Sequence, residues 1–127
     1  MTDSASETAA LQCLDDFMAA WNSRDLPAFA ATFNYPSVRI ASGRVRIIES
    51  AASHLPDLFD RMAATGWHHS AWLKRGIIHG GPDKVHINTR FGRYHEDGSA
   101  IGEYDSIYIV NKQDNHWGIQ GRSSFAP

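Results

Sequence analysis

The fold is decided by residues 67–125, WHHSAWLKRGIIHGGPDKVHINTRFGRYHEDGSAIGEYDSIYIVNKQDNHWGIQGRSSF. Within this stretch, apolar and polar side chains alternate with a period of two, which is the spacing of a strand with one buried face. Clusters of turn-forming residues divide the stretch into strands, and these clusters are Gly80–Asp83, Glu96–Gly98 and Gln113–Asn115. Long strands joined by such tight turns predict an antiparallel meander.

The first part of the chain shows helical spacing instead. Residues 4–23 carry an apolar stripe behind a Ser4–Glu7 capping box, and Asp25 is placed to cap a second, short helix, LPAFAATF. A short hairpin around Ser42–Gly43 follows, and a third helix is expected over Leu55–Thr65. Helices that precede a long antiparallel sheet predict an α+β fold, with three N-terminal helices packed on the sheet.

Composition and charge restrict the classes of function. The chain has 127 residues, enough for one domain over residues 1–127. Its net charge of -2 and pI near 6.4 argue against nucleic acid and membrane partners. The single cysteine, Cys13, excludes an intrachain disulfide framework and a multi-cysteine zinc site. Because the sequence shows no basic and apolar leader and no apolar run of about 20 residues, we expect a cytoplasmic protein.

Two short, loosely defined sequence motifs accompany this order of elements. AWNSRDLPAFAATF, residues 20–33, joins the first two helices through Asn and Asp and ends in Phe. HWGIQGRSSF, residues 116–125, places a Trp-x-Ile pair before basic and hydroxyl residues. With the layout of the whole chain, they resemble the nuclear transport factor 2-like superfamily. The resemblance implies a strongly curved, cystatin-like cone of sheet and helices, a pocket between them, and a homodimer formed through the outer face of the sheet.

The same resemblance leaves two kinds of function open. Ketosteroid isomerase, scytalone dehydratase, limonene epoxide hydrolase and SnoaL-like polyketide cyclases belong to this superfamily and carry out acid–base chemistry on small hydrophobic molecules. Other members only bind a ligand or act as scaffolds, and no catalytic signature of the enzymes occurs in this chain. We therefore expect a small hydrophobic ligand and either a cofactor-free isomerase, dehydratase or cyclase, or a non-catalytic binding or assembly module.

An acidic residue on an apolar strand face is the first candidate for catalysis. In IGEYDSIYIV, Ile101, Ile107 and Ile109 share one face with Glu103 and Asp105. If that face is the core, burial raises the pKa of the carboxyl group toward the range that a general acid or base requires. Asp105 is then the catalytic acid or base, and the alternative is a solvated carboxylate paired with an arginine.

The adjacent histidines of TGWHHSAW provide the second candidate. On a strand, Trp67 and His69 share one face while His68 lies on the other, so the two histidines do not bind one metal ion together. The other histidines lack metal-ligand spacing, and no metal site is expected. We expect His69 to face the cavity and assist Asp105 as a proton shuttle. A histidine hydrogen-bonded at a sheet or dimer surface is the alternative.

Two further polar residues are placed near the expected pocket. Tyr35 precedes a proline and directly follows the second helix, where its hydroxyl group is available to polarise a substrate oxygen. The alternative is a packing aromatic with a hydrated hydroxyl. Arg122 follows Gly121, and a bulge at this glycine reverses the alternation of the strand and turns Arg122 into the cavity, where it binds an acidic group. Without the bulge, Arg122 is a surface or interface residue.

The aromatic content predicts the walls of the pocket. Four Trp, six Phe and four Tyr are a large apolar content for a chain of this size. Most are expected in the core, and some line a cavity for a hydrophobic molecule. The predicted ligand-binding residues are Trp67, Trp21, Phe17, Trp117 and Arg122.

Overall fold

The computed structural model describes residues 4–127, and its elements follow the predicted order. The helices are α1 (Ser4–Asn22), α2 (Leu26–Ala30) and α3 (Leu58–Ala64), with one turn of 3-10 helix at Ala51–Ser53. The strands are β1 (Phe33–Ala41), β2 (Arg44–Ile48), β3 (His69–Gly80), β4 (Lys84–Tyr94), β5 (Ala100–Gln113) and β6 (His116–Ser124). Helix α3 starts later than predicted because Pro56 disfavours a helical conformation at Leu55. Across residues 4–127, no helix combines the length and the apolar character that crossing a membrane requires.

The strands form one six-stranded sheet in the order β2-β1-β6-β5-β4-β3. The predicted antiparallel meander over β3 to β6 and the β1–β2 hairpin are confirmed. One pairing differs from an entirely antiparallel sheet, because β1 runs parallel to β6. The meander leaves β6 with one free edge, and β1 enters from α2 and pairs with that edge. The last strand therefore lies between β1 of the hairpin and β5 of the meander.

Helix α1 packs against the inner face of the sheet. Ala10 and Leu14 are fully buried between the helix and the sheet, as is Val85 on β4. Burial of each large aliphatic side chain contributes about 1.5–3 kcal/mol to stability. Polar contacts fix the helix along β3, since Asn22 Nδ2 donates to the carbonyl of Ser70 and Asn22 Oδ1 accepts from its amide. These contacts hold the inner face of β3 against the C-terminal end of α1.

The choice of inner face on β5 differs from the prediction. Ile107 and Ile109 are 44% and 37% exposed, whereas Tyr108 between them is 1% exposed. The isoleucines and the acidic residues of β5 do share one face, as predicted, but that face is the outer one. The inner face carries Ser106, Tyr108 and Val110, where Ser106 Oγ donates to Ser124 Oγ, and the isoleucines form an apolar outer surface. On β4 the predicted inner face is confirmed, and its residues are Val85, Ile87, Thr89 and Phe91.

Candidate functional site

The inner face of the sheet and the helices enclose a cavity of about 160 Å³. Its apolar walls include Phe17, Trp21, Phe29, Phe33, Trp72 and Phe91. A dry cavity of about 150 Å³ binds a molecule of the size of benzene. The cavity therefore accommodates one ring with a short substituent, and a large polycyclic molecule exceeds it.

Arg46 on β2 and three arginines with buried Nε atoms bring positive charge to this apolar cavity. Arg39 enters from β1, Arg93 from β4 and Arg122 from β6. Arg39 and Arg122 are direct neighbours in the parallel β1–β6 pairing, and Tyr108 is the partner of Arg122 on β5. Like charges on directly neighbouring strand positions repel each other, so the sheet alone does not favour this arrangement.

A bulge in β6 determines the position of Arg122. Ile109 pairs with Gly121, but the next residue, Val110, pairs with Ile119. Gln120 is therefore an extra residue in β6, and it reverses the alternation of inner and outer side chains. Of the two alternatives for Arg122, the bulged strand is the one present, with the extra residue at Gln120 beside Gly121, and Arg122 lines the cavity.

The guanidinium groups of these arginines are incompletely hydrogen-bonded. The Nε atoms of Arg39, Arg93 and Arg122 are buried and have no hydrogen-bond partner among residues 4–127. Arg122 instead stacks over the rings of Phe91 and Tyr108, at 5.4 and 5.3 Å from their centroids. Burial, followed by the charges of Arg122 and Arg93, lowers the pKa of Arg39 to about 10. A pKa of about 10 leaves the guanidinium group of Arg39 charged at neutral pH.

No Asp or Glu side chain within residues 4–127 lines the cavity, and the main-chain oxygen of Pro127 accepts a hydrogen bond from Arg93 Nη1 at 3.3 Å. Arginines elsewhere on the protein do have acidic partners: Arg61–Asp57 at 2.8 Å, Arg75–Asp15 at 2.6 Å and Arg90–Asp105 at 3.1 Å. A buried charge normally requires a partner. The cavity thus presents unsatisfied donors and net positive charge to whatever enters it. In the same range of residues, no cluster of three or more His, Cys, Asp or Glu side chains is arranged to hold a metal ion.

A histidine that is held by a tyrosine forms another part of the cavity wall. His54 is 6% exposed, and its ring lies 5.3 Å from that of Phe29 and 4.9 Å from that of Phe33. Tyr35 Oη donates to the carbonyl of Ala30 at 2.7 Å, so it accepts the hydrogen bond of 2.9 Å from His54 Nε2. Burial lowers the pKa of His54, and the charge of Arg46 lowers it further, so the ring is neutral at pH 7.

Comparison with known protein families places the chain in a family. Residues 6–124 match the model described as NTF2-like protein (DUF6841). The chain belongs to this NTF2-like family. The predicted superfamily resemblance is confirmed by this match, which covers nearly the whole sequence. No protein sequence in the curated set matches the chain.

Solved structures support the same fold for this DUF6841 protein. A protein of unknown function with a cystatin-like fold from Nostoc punctiforme superposes with a TM-score of 0.79 at 15% identity, covering 99% of this chain and 94% of that one. An NTF2-like protein of unknown function from Pseudomonas putida gives 0.79 at 16% identity, with coverages of 100% and 90%. The hexachlorocyclohexane dehydrochlorinase LinA-type3 from Novosphingobium barchaimii gives 0.73 at 15%, with coverages of 94% and 85%. At these identities the likeness establishes the fold alone.

In this DUF6841 protein, Asp105 does not face the cavity. Its side chain is 63% exposed on the outer face of β5, and it accepts a hydrogen bond from Arg90 at 3.1 Å. Glu103 on the same face lies 3.4 Å from Arg90. The predicted cavity position of Asp105 is wrong, because the inner face of β5 is the Tyr108 face. The alternative, a solvated carboxylate paired with an arginine, describes what the structure shows.

The expected cavity position of His69 is also wrong. Ser70 and Trp72 face inward on β3, which puts His69 on the opposite face, where it stacks on Tyr94 and lies 3.1 Å from His68 between Nδ1 atoms. Ser70 has a hydrogen-bonding role on the inner face, since its hydroxyl oxygen accepts a hydrogen bond from Trp67 Nε1 at 2.9 Å. The pairing of this hydroxyl with Trp67 explains why the small polar residue, and not the histidine, is inside.

The remaining predicted site residues divide between the cavity and its surroundings. Phe17, Trp21 and Arg122 line the cavity, as predicted. Trp67 is buried in the core and Trp117 packs against the core, and neither is part of the cavity wall. The single proton of the Tyr35 hydroxyl is engaged by Ala30, and the ring borders a separate, solvent-open depression beside α2. Tyr35 therefore supports His54 and is not placed to donate to a molecule in the cavity.

Several cavity residues were not recognised in the sequence. Arg39 alternates with Val38 and Ile40 in the hairpin, and that pattern suggests an outward arginine, as it does for most charged residues. Arg93 follows the predicted core residue Phe91 with the correct spacing for the inner face, which was the one available signal. His54 lies between elements, in a segment without periodicity.

Proposed function

We propose that this protein binds a small amphipathic acid. The apolar part of the ligand, about one ring in size, lies among the aromatic side chains, and its anionic group meets Arg39, Arg93 and Arg122. The observation that supports this most directly is the set of buried Nε donors without partners in a cavity whose walls, within residues 4–127, hold no Asp or Glu side chain. A bound anion supplies the missing acceptors and the missing charge together.

Binding, rather than the acid–base chemistry first assigned to Asp105, is the function that this geometry supports best. Asp105 and His69 lie outside the cavity. The dehydrochlorinase from Novosphingobium shows that the same fold serves a reaction on a small apolar molecule in another protein. Fold alone does not transfer that reaction, and the arginine-lined cavity points to a ligand with an acidic group.

An isosteric pair of probes tests the proposal. We expect 3-phenylpropionate to bind measurably in isothermal titration calorimetry and the neutral 3-phenylpropionamide to bind at least about 10-fold more weakly, because only the acid satisfies charged donors. In Arg122→Met, the affinity for the acid should fall by about 10–150-fold, as expected for loss of a hydrogen bond to a charged group. Arg90→Met is the matched control, since Arg90 lies on the outer face. Equal binding of acid and amide contradicts the proposal.

We also propose that the protein forms a homodimer through its convex patch, the exposed apolar residues Ile40, Val45, Ile47, Ile107 and Ile109. These residues lie on β2, β1 and β5, and Ser123 of β6 bridges them: Ile40 pairs with Val45, and its other neighbour Ser123 pairs with Ile107. Contiguous exposed apolar surface of this kind marks interaction sites. A second copy of the chain offers the same apolar surface by symmetry.

Sedimentation analysis of a charge substitution tests the dimer. Ile107→Lys should raise the dimer dissociation constant by at least about 30-fold, because burying an unpaired charge at an interface costs about 2 kcal/mol or more. Ile78→Lys is the matched control, since Ile78 and Ile107 are both 44% exposed but Ile78 lies on β3, outside the convex patch. A wild-type monomer at concentrations well above micromolar contradicts the proposal.

A further inference from the structure

The cavity contains one proton-transfer group that the proposed binding function does not use. His54 lines the wall, while Tyr35, which holds its Nε2 atom, does not border the cavity. Nε2 is thus engaged by a residue outside the cavity wall. No residue in the range 4–127 makes a hydrogen bond with the other nitrogen, Nδ1.

The hydrogen bonds of Tyr35 define the tautomer of His54. The phenol has one proton, and the carbonyl of Ala30 receives it at 2.7 Å. The 2.9 Å contact is consequently Nε2–H donating to Tyr35 Oη, and Nδ1 carries the lone pair. A neutral imidazole with a fixed tautomer and one free nitrogen is a group that accepts a proton from a bound molecule.

The charges around His54 couple this acceptor to the anion site. The charged or titratable groups that act on the ring are Tyr35 from β1 and Arg46 from β2, and Arg46 also lines the cavity. Phe29 and Phe33 cover the ring with apolar surface. In the empty cavity this environment opposes protonation of His54. A bound anion adds negative charge beside the arginines, and so favours the imidazolium form when a proton is transferred.

We propose that His54 Nδ1 is the general base of a cofactor-free keto–enol tautomerisation of small aromatic 2-oxo acids, bound through their carboxylate at Arg39, Arg93 and Arg122. The inference rests on the proposed function, since the arginines position the substrate. A hydrogen beside a ketone is acidic enough for an imidazole base, whereas one beside a simple carboxylate is not. The ring of such a molecule fits the size and the aromatic walls of the cavity.

The proposed step conserves atoms and charge. Nδ1 takes a proton from C3 of the 2-oxo acid, and the electron pair of the broken C–H bond forms the C2=C3 double bond. The C2 carbonyl oxygen becomes the enolate oxygen, which the guanidinium groups stabilise. The enolate then takes a proton from the His54 imidazolium, on oxygen to give the enol or on carbon to restore the 2-oxo acid, and the imidazole is neutral again. In D₂O the proton on Nδ1 exchanges with solvent deuterium, and the second route then places deuterium on C3.

Phenylpyruvate is the probe for this reaction. Exchange of its C3 hydrogens with D₂O is followed by proton NMR, and its binding is measured separately by calorimetry. We expect the wild-type protein to accelerate exchange over the buffer rate. His54→Gln should lower that acceleration by at least about 100-fold while phenylpyruvate still binds. His79→Gln, at the outer surface of β3, is the control and should exchange as the wild type does.

The outcomes separate this inference from the function on which it rests. If phenylpyruvate and 3-phenylpropionate both fail to bind, the anion-binding proposal fails. If phenylpyruvate binds without accelerated exchange, or if His54→Gln exchanges like the wild type, binding stands and the catalytic role of His54 is overturned.

A measurement on the unmutated protein covers the case in which His54→Gln does not fold. Nitrogen-15 NMR of the wild-type histidines should show a neutral His54 with the proton on Nε2, and a proton on Nδ1 overturns the proposal. Tyr35→Phe removes the acceptor of Nε2–H. His54 should then no longer be held in the Nε2–H tautomer, and the acidic limb of the plot of exchange rate against pH should shift. If Tyr35 had a purely structural role, that limb would stay in place.

Discussion

Arg39→Met is expected to make the protein more stable, raising the free energy of unfolding by about 1–3 kcal/mol, and to abolish tight binding of acidic ligands. Most substitutions of buried residues destabilise a protein. The opposite sign follows here from the surroundings of the guanidinium group. Arg39 is a direct strand neighbour of Arg122, and its Nε atom is buried without a partner among residues 4–127.

The cost of holding Arg39 in the cavity is visible in its pKa. Burial, and after it the charges of Arg122 and Arg93, lowers the pKa of Arg39 to about 10. A folded-state pKa below the usual value means that the charged form is destabilised by folding at every pH below about 10. Methionine fills a similar volume without charge, so the penalty disappears and the aliphatic packing of the arginine stem is kept.

Urea unfolding at pH 7 measures this effect, with Arg90→Met as the control. Arg90 also lies on the sheet, but it is exposed and paired with Asp105 at 3.1 Å. Its replacement should change stability by no more than about 1 kcal/mol, in the destabilising direction. A loss of stability in Arg39→Met would show that the arginine has structural partners that outweigh its charge, and the anion site would lose its main support.

Ligand addition should reverse the order of stability. A ligand that binds only the folded protein stabilises it by about 4.1 kcal/mol at 1,000 times its dissociation constant, more than the expected advantage of Arg39→Met. The wild type gains this increment from a bound acid, and Arg39→Met does not. The same arginine thus lowers stability in the empty cavity and contributes to it in the complex. Such an exchange of stability for binding is common at functional sites.

The sequence predicted the order of elements well because turn chemistry and side-chain period are local properties. It was less informative about which face of a strand is inside. On β4, the inner face is also the more apolar face, so Val85 and Ile87 were placed correctly. On β5, isoleucines cover the outside and Tyr108 the inside, because this sheet has apolar surface on both faces. Alternation with a period of two assigns the side chains of a strand to two faces, but it does not show which face is buried.

The candidate site depends even more on long-range geometry. Arg122 reaches the cavity through one extra residue in β6, and a glycine in the sequence indicates such a bulge without requiring it. His54 becomes part of the wall only because the segment before α3 folds over β1, bringing it to Tyr35, 19 residues earlier in the chain. Neither contact leaves a periodic signal. The chemistry of the cavity therefore became visible only when β1, β4 and β6 were placed together.

The β1–β6 pairing that brings two of the arginines together depends on a close approach of two backbones, and Gly118→Ala is expected to disrupt it. A Cβ atom at position 118 would lie 2.7 Å from the backbone nitrogen of Asn34 and from the carbonyl carbon of Phe33. Both are backbone atoms of β1, so rotation of a side chain does not relieve the clash. The strands must separate, and we expect a loss of about 3 kcal/mol, or about 10 °C in Tm.

Gly76→Ala is the matched control, because a Cβ atom there has no other atom within 4 Å. It should change the free energy of unfolding by less than about 0.5 kcal/mol. In Gly118→Ala the binding of 3-phenylpropionate should also weaken, although residue 118 does not line the cavity. Separation of β1 from β6 moves Arg39 away from Arg122. The two guanidinium groups are then too far apart to bind the same anion together. If Gly118→Ala is destabilised but binds 3-phenylpropionate with wild-type affinity, Arg39 does not contribute to the anion site. A parallel loss of stability and affinity would show that ligand binding depends on the β1–β6 pairing.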